Sequence, residues 1–332
     1  MKRDIDPLQE REISIQNDED NPLFGDFAER FIKNHVKKKL AQSTAAEYER
    51  QIRKYFIPAW GKRKVADIQR KQIVKLVEKL SDNTPIMANR ALATVKKMFS
   101  YAVSVGLTEF NPAAGIERPG KETPRDRVLS MDEIVIMFRM LEDYGNRDTS
   151  EILQLITLTA QRPGEVREMH LSQFKEDADG LWFQLKAGDT KNSEPTRIFL
   201  NDMAAQIIKT RVSDLGLTHY IFPAETKSGF MRKDNLVDRV QRIQPLMQES
   251  GVARFTAHDL RRSAATGLAR LGYGSIVDDI LNHKQQGITR RVYDLYSRAP
   301  EIKRALTAWG EAIERAIDGN QADVIEIKGG KG

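Results

Sequence analysis

The sequence predicts a mainly α-helical protein built in two parts, the second carrying a small antiparallel β-sheet. Three observations predict it. Apolar residues recur at helical spacing from Phe24 to Val105, with no strand pattern among them. Residues 117–127 then break the periodicity with two prolines, a glycine and dense charge, the chemistry of an extended linker. Beyond it, a β-rich patch at residues 173–200 interrupts a pattern that is otherwise helical to about Ile317. A chain of 332 residues is long enough for two separate cores.

Taken in order, residues 1–21 are polar and acidic, with little to tie them down. Phe24, Phe27, Phe31 and Ile32 mark a first helix running to Lys37. Ser43 or Thr44 is the expected cap of a second, which carries Tyr48, Ile52 and Tyr55 on one face and stops at Pro58. Ile68–Leu80 and Pro85–Val105 read as the third and fourth, the last closed by Gly106. Four helices without strands make a small all-α bundle. After the linker, Ser130-Met131-Asp132-Glu133 has the capping-box pattern that opens an amphipathic helix. Asp179-Gly180 is a hairpin signal, and residues 181–185 and 196–200 are strand-like. In the tail, Val324-Ile325-Glu326-Ile327 alternates; it reads either as a strand added to a neighbour's sheet edge or as disordered chain.

Charge is unevenly spread. The net charge is +6, yet residues 1–20 hold three basic and seven acidic side chains, and residues 21–125 hold 21 basic and 10 acidic, a net of +11. Residues 126–332 carry 29 basic and 30 acidic groups. The basic block suits a surface that neutralises DNA phosphates and releases their counterions, and it suits equally a solvated lysine-rich helical face. Within it, Arg90, Lys96 and Lys97 lie on the predicted fourth helix, and the runs containing Lys37, Lys38, Lys62 and Lys64 are candidates for backbone phosphates. The chain has no cysteine, hence no disulfide or thiolate metal site. No apolar run approaches a membrane span, and the first residues lack the apolar stretch of a signal peptide. The expectation is a cytoplasmic, nucleoid-associated protein without membrane contact. The histidines and carboxylates are scattered, so no metal site or other cofactor is expected, and no Walker-type phosphate loop is present.

The second part holds an ordered set of residues suited to a phosphate. Arg162 stands in Leu158-Thr159-Ala160-Gln161-Arg162-Pro163-Gly164-Glu165, before a proline that favours a first helical turn. Glu165 is placed to hold it from behind. Lys191 follows in a polar turn. His258 and Arg261, one turn apart on a helix predicted to begin after Thr256, share a face, while Leu260, Ala264, Leu268 and Leu271 take another. Arg262, a step round from Arg261, is either a DNA contact or structural. His283 comes in Leu281-Asn282-His283, and Tyr293 closes the set. Guanidiniums offer a fork of donors matching phosphate oxygens, and a tyrosine after such a set reads as a nucleophile.

These boxes, in this order, resemble the tyrosine recombinase (phage integrase) family, whose first box has a Leu-Thr-Gly-x-Arg-x-x-Glu pattern, whose second has His-x-Leu-Arg-Arg-Ser/Thr, and whose third has Leu-Gly-His followed by a tyrosine. Here Ala160 and Asn282 replace family glycines, and Tyr293 lies one residue further from His283 than is usual. The resemblance runs from about Pro22 to Glu314. It implies a helical core DNA-binding domain at 22–117, a linker at 118–127, a mixed α/β catalytic domain at 128–317 and a tail at 318–332. It implies strand cleavage and rejoining through a 3′-phosphotyrosyl link, without metal or ATP. Arg162, His258, Arg261 and His283 would surround the phosphate, and Lys191 would protonate the leaving 5′ oxygen. Four protomers on two double-stranded DNA sites would be the working assembly, with room for accessory DNA-bending proteins. Tyr293 is the expected nucleophile; Tyr296, one turn on, is the competitor. A catalytically silent DNA-binding regulator on the same fold is the alternative, and a topoisomerase-like use of the site a third reading.

Overall fold

The computed structural model describes residues 21–123, 125–186, 195–216, 219–283 and 298–319. The chain folds as two compact units that divide after Arg125. Each has its own buried apolar cluster. Among the described residues no helix is long and apolar enough to cross a membrane.

In the first unit, α1 (Phe24–Phe31) carries Phe24, Phe27, Ala28 and Phe31 inward. It continues through a π-helical turn at Ile32–Val36 into Lys37–Lys39. The second helix, α2 (Gln42–Gln51), starts one residue before Ser43. Neither Ser43 nor Thr44 caps it, because the N-cap is Ala41 and both hydroxyl residues already lie in the first turn. Pro58 does not stop it. A π turn at Ile52–Phe56 leads into Ile57–Trp60, and Pro58 sits in that segment's first turn, where a missing N–H is harmless. Then come α3 (Arg70–Ser81) and α4 (Pro85–Ser104), which pack together. The core is aromatic: Phe24 meets Trp60 edge-on at 5.5 Å, and Phe56 stacks on Trp60 at 5.7 Å.

The segment read as a solvated linker is tied down at both ends. Asn89 on α4 donates to the Gly120 carbonyl at 2.7 Å and accepts from its N–H at 2.9 Å. A side chain at Gly120 would strike Pro85 at 2.8 Å, so only glycine lets the chain lie this close. At the other end Arg127 pairs with Glu133 and donates to the Ala253 carbonyl at 3.1 Å. The Leu129 N–H donates to Ser263 Oγ at 2.7 Å. Between these ties residues 117–119, 121–123, 125 and 126 are exposed, as composition predicted, and Gly120 is buried.

The second unit opens with α5 (Met131–Asp143), started by the expected Ser130–Glu133 capping box. Next are α6 (Arg147–Thr159) and the five-residue α7 (Pro163–Arg167). Strands β1 (Phe174–Asp177), β2 (Gly180–Leu185) and β3 (Thr196–Phe199) form an antiparallel sheet in that order. Phe174 faces Phe183, and Trp182 faces Phe199. The hairpin signal falls one residue earlier than read, since Gly180, with φ 125°, is already the first residue of β2. Among the described residues, four further helices follow, α8 (Asp202–Leu215), α9 (Lys233–Glu249), α10 (Ala257–Leu268) and α11 (Val277–Ile280), and then the long helix α12 (Ala299–Ile317). Helix α10 packs on α6, and Trp309 of α12 donates its indole N–H to the Thr157 carbonyl at 2.8 Å.

Candidate active site

Three short segments converge in the second unit. The first is the turn from α6 into α7. Thr159 ends α6 and Ala160 takes the left-handed conformation at φ 55°. Arg162 is the N-cap of α7, with Pro163 at its first position as the sequence implied. Glu165 folds back on Arg162 twice: it accepts from the Arg162 N–H at 3.1 Å and from Nη1 at 2.7 Å. The carboxylate therefore fixes both the backbone and the guanidinium of Arg162.

The second segment is α10. Thr256 and Asp259 form a reciprocal capping box, which starts the helix at Ala257. Leu260, Ala264 and Leu268 are buried against the core, as their spacing predicted. Leu271 is not; it is 41% exposed, because regular α-helix ends at Leu268 and the chain turns at Gly272 with φ 91°. Arg261 is 4% exposed. Its Nη1 donates to the Ala160 carbonyl at 2.8 Å and its Nη2 to the Leu281 carbonyl at 2.6 Å. Arg262 pairs with Asp259 at 3.2 Å. His258 stands one turn before Arg261 and is exposed.

The third segment follows α11. Asn282 is left-handed at φ 48°. Among the described residues, it and Ala160 are the positive-φ residues other than glycine, and both stand where the family boxes have glycine. His283 is bonded twice to Asp278: its N–H donates to the Asp278 carbonyl at 3.0 Å, and Nδ1 lies 2.9 Å from Oδ1. Nε2 is thereby the ring nitrogen left to reach outward.

Side chains of the first two segments hold the third. Gln161 donates to the Ile280 carbonyl at 2.9 Å, Arg261 to Leu281, and Arg162 to Asn282 at 3.3 Å. Glu165 lies 4.0 Å from Arg261 as well, so one carboxylate serves two guanidiniums. The balance is cationic. Burial first, then the neighbouring Arg162, pushes Arg261 down to about 10, against an opposing pull from Glu165; it remains charged near neutrality. Burial, then Arg261 and Arg262, pulls the His258 imidazole below its ordinary range. Such a cluster is poised for an anion that would relieve these repulsions.

Thus Arg162, Glu165, Arg261, His258 and His283 come from segments that meet in one place. Lys191 and Tyr293, with its competitor Tyr296, lie outside the described residues. Gln161 and Asp278 were not singled out in the sequence. Only the packing reveals them, since nothing local marks a glutamine that reaches across 119 positions. In the first unit Arg90, Lys97, Lys38 and Lys62 are exposed. Lys37 pairs with Glu49 at 3.4 Å, and Lys64 is half-buried. Lys96 departs from expectation: its ammonium donates to the Ile116 carbonyl at 2.6 Å, which makes it a tie within the unit.

Sequence comparisons agree with this architecture. The phage integrase central domain matches residues 24–118, and the phage integrase family domain matches residues 127–297. The chain belongs to the phage integrase family of tyrosine recombinases. Prophage integrase IntZ of Escherichia coli strain K12 is 24% identical over 289 residues, covering 84% of this chain and 68% of the relative. Tyrosine recombinase XerD of Rickettsia prowazekii is 22% identical over 255 residues, covering 70% of this chain and 80% of the relative. Among solved structures, a lambda integrase dimer bound to a COC′ core site superposes with a TM-score of 0.66 at 18% identity, covering 98% of this chain and 85% of that one. A lambda integrase tetramer bound to a Holliday junction gives 0.66 at 17% identity, covering 89% and 86%. At these identities the structural likeness is one of fold.

Proposed function

We propose that this phage-integrase-family chain, a site-specific DNA recombinase, cuts and rejoins DNA through a 3′-phosphotyrosyl link made by Tyr293. The observation that carries the reading is the pair of guanidiniums, Arg162 and Arg261, held by one carboxylate beside two imidazoles. In the proposed reaction Tyr293 gives its phenolic proton to solvent, helped by the cationic surroundings of the phosphate, its oxygen attacks phosphorus and the bond from phosphorus to the 5′ oxygen breaks. Lys191 gives that oxygen its proton. Arg162 and Arg261 neutralise the non-bridging oxygens as charge builds there, and His258 and His283 donate to the same phosphate. Attack by another strand's 5′ hydroxyl then releases the tyrosine. The phosphotyrosine conserves the diester's energy, so the proposed reaction needs no ATP, and in it the guanidiniums take the charge-neutralising role that a metal would otherwise fill.

The remaining assignments follow the same reading. Residues 22–117 form the core DNA-binding domain, 118–127 the linker and 128–317 the catalytic domain. Arg90, Lys97, Lys37, Lys38, Lys62 and Lys64 are the proposed cationic contacts to duplex DNA. A tetramer on two DNA sites is the proposed assembly, supported by the neighbour on a Holliday junction, and accessory DNA-bending proteins and the nucleoid are its proposed setting.

A nicked suicide substrate carrying the recombination site tests the reaction. The expected outcome is a covalent protein–DNA adduct that peptide mapping places on Tyr293, with Tyr293→Phe binding DNA and forming none. An adduct that survives in Tyr293→Phe and vanishes in Tyr296→Phe moves the assignment by one turn. No adduct from the parent chain leaves only the silent DNA-binding reading.

A further inference from the structure

We propose that Gln161 is a positioning residue for His283: its side-chain amide locks the loop presenting that imidazole to the turn presenting Arg162. This inference rests on the recombination reading above.

Gln161 is fully buried, at 0% exposure. An amide nitrogen has two hydrogens to give, and here both have partners. One goes to the Thr159 carbonyl at 2.9 Å, bracing the left-handed turn at Ala160. The other goes to the Ile280 carbonyl at 2.9 Å, at the end of α11. Three successive carbonyls, of Ile280, Leu281 and Asn282, each accept a bond from a different side chain, namely Gln161, Arg261 and Arg162. The three donors are not equivalent. The arginines are the groups that must turn toward a phosphate, and the Arg162 bond is already long at 3.3 Å. Gln161 is neutral and enclosed, and has nothing to offer a phosphate. When DNA draws the guanidiniums outward, Gln161 is the donor that stays on the loop.

Gln161 Oε1 is buried with no hydrogen-bond partner among the described residues. A buried acceptor left unpaired lowers stability, which offsets part of what the two donations contribute. The side chain is held in place by its two donations, which tie the turn at Ala160 to the end of α11. His283 depends on this loop because both its bonds to Asp278 are local to residues 278–283 and bring no anchor from the arginine side. Gln161 supplies that anchor without touching the imidazole.

The test is a double-mutant cycle in the full-length chain. The rate of adduct formation on the nicked substrate is measured at saturating DNA for the parent, Gln161→Met, His283→Ala and the double variant. We expect Gln161→Met to slow adduct formation on the order of tenfold or more, as a misplaced group does, with DNA affinity unchanged. We expect the double variant to be no slower than His283→Ala alone, because residues acting through one group are not additive. Multiplying losses would overturn the inference, as would a loss confined to DNA affinity or a parent-like rate. If Gln161→Met does not fold, Gln161→Leu decides by the same cycle. A parent chain that forms no adduct overturns the recombination reading and this inference with it; an adduct with additive losses overturns this inference alone.

Discussion

Arg261 sits where its own charge is opposed. It is nearly enclosed, and Arg162 adds repulsion that Glu165 only partly offsets. A charge kept under those conditions is preorganised for the anion that relieves it. Arg162→Lys and Arg261→Lys keep the charge and lose the fork. Each is expected to slow adduct formation by roughly a hundredfold or more while leaving DNA affinity nearly unchanged. A variant that cleaves at the parent rate would make that arginine structural. His258 gives a pH test. Its folded pKa is depressed by burial and by the nearby cations, so the folded state favours the neutral ring. The associated stability is complete above the ordinary histidine value near 6.5 and is lost as pH falls through the folded pKa, because the unfolded chain takes up the proton first. Thermal melts between about pH 7 and pH 5 should fall more steeply for the parent than for His258→Gln, and bound duplex DNA should flatten the difference. A parent slope equal to that of His258→Gln would remove the imidazole from the acid response. Most of this site was legible in the sequence, because Arg162, His258, Arg261 and His283 occur in a recognisable order. What was not legible is what holds them. Ala160 and Asn282 read as mild departures from glycine, yet each occupies a left-handed turn that bends a site residue into place. Asn tolerates that conformation and β-branched residues do not. Asn282→Val should therefore lower stability by about 1–3 kcal/mol and slow adduct formation, which calorimetry and the same suicide substrate would measure.

At the scale of the element, α10 is positioned from its back. Gly267 faces Trp309 of α12 so closely that a Cβ there would lie 2.3 Å from the indole ring. Trp309 cannot easily yield, since its N–H is bonded to the Thr157 carbonyl on α6. A methyl group at position 267 must push α10 and α12 apart. Gly267→Ala is expected to destabilise the chain by about 1–3 kcal/mol, the usual consequence of overpacking, and to move His258 and Arg261 with the helix. Unchanged melting and cleavage would show that the contact is slack. The periodicity of Leu260, Ala264 and Leu268 foretold which face of α10 is buried, but a glycine in a helix carries no local sign of the ring it admits. The same holds at Gly120, where composition pointed to an exposed linker and the missing Cβ allows contact with Pro85. In the first unit helix boundaries were less legible than helix existence. The π turn at Ile52–Phe56 carries the second helix on into the segment that holds Pro58, where the sequence signals a stop.

Over the whole molecule the decisive property is the division of labour in charge. Residues 21–125 carry a net of +11 and residues 126–332 a net of −1, so the excess of positive charge belongs to the first unit, while the unit that holds Arg162 and Arg261 is nearly neutral. The first unit has a core of its own, built on Phe24, Phe27, Phe31, Phe56, Trp60 and Phe99, each at most 4% exposed. A fragment of residues 21–125 should therefore fold alone and bind duplex DNA, with an affinity that falls steeply as salt rises because each neutralised phosphate releases a counterion. Lys38 and Lys62 are exposed, whereas Lys96 is bonded to the Ile116 carbonyl. Lys38→Gln and Lys62→Gln should each reduce the slope of log affinity against log salt by about 0.9 if the side chain meets a phosphate. Lys96→Gln should instead lower the melting temperature and leave the slope unchanged. Fluorescence anisotropy across a salt series, with melts of the same three variants, separates the two roles. Binding indifferent to salt, or carried entirely by residues 126–332, would show that the basic block is only a solvated surface.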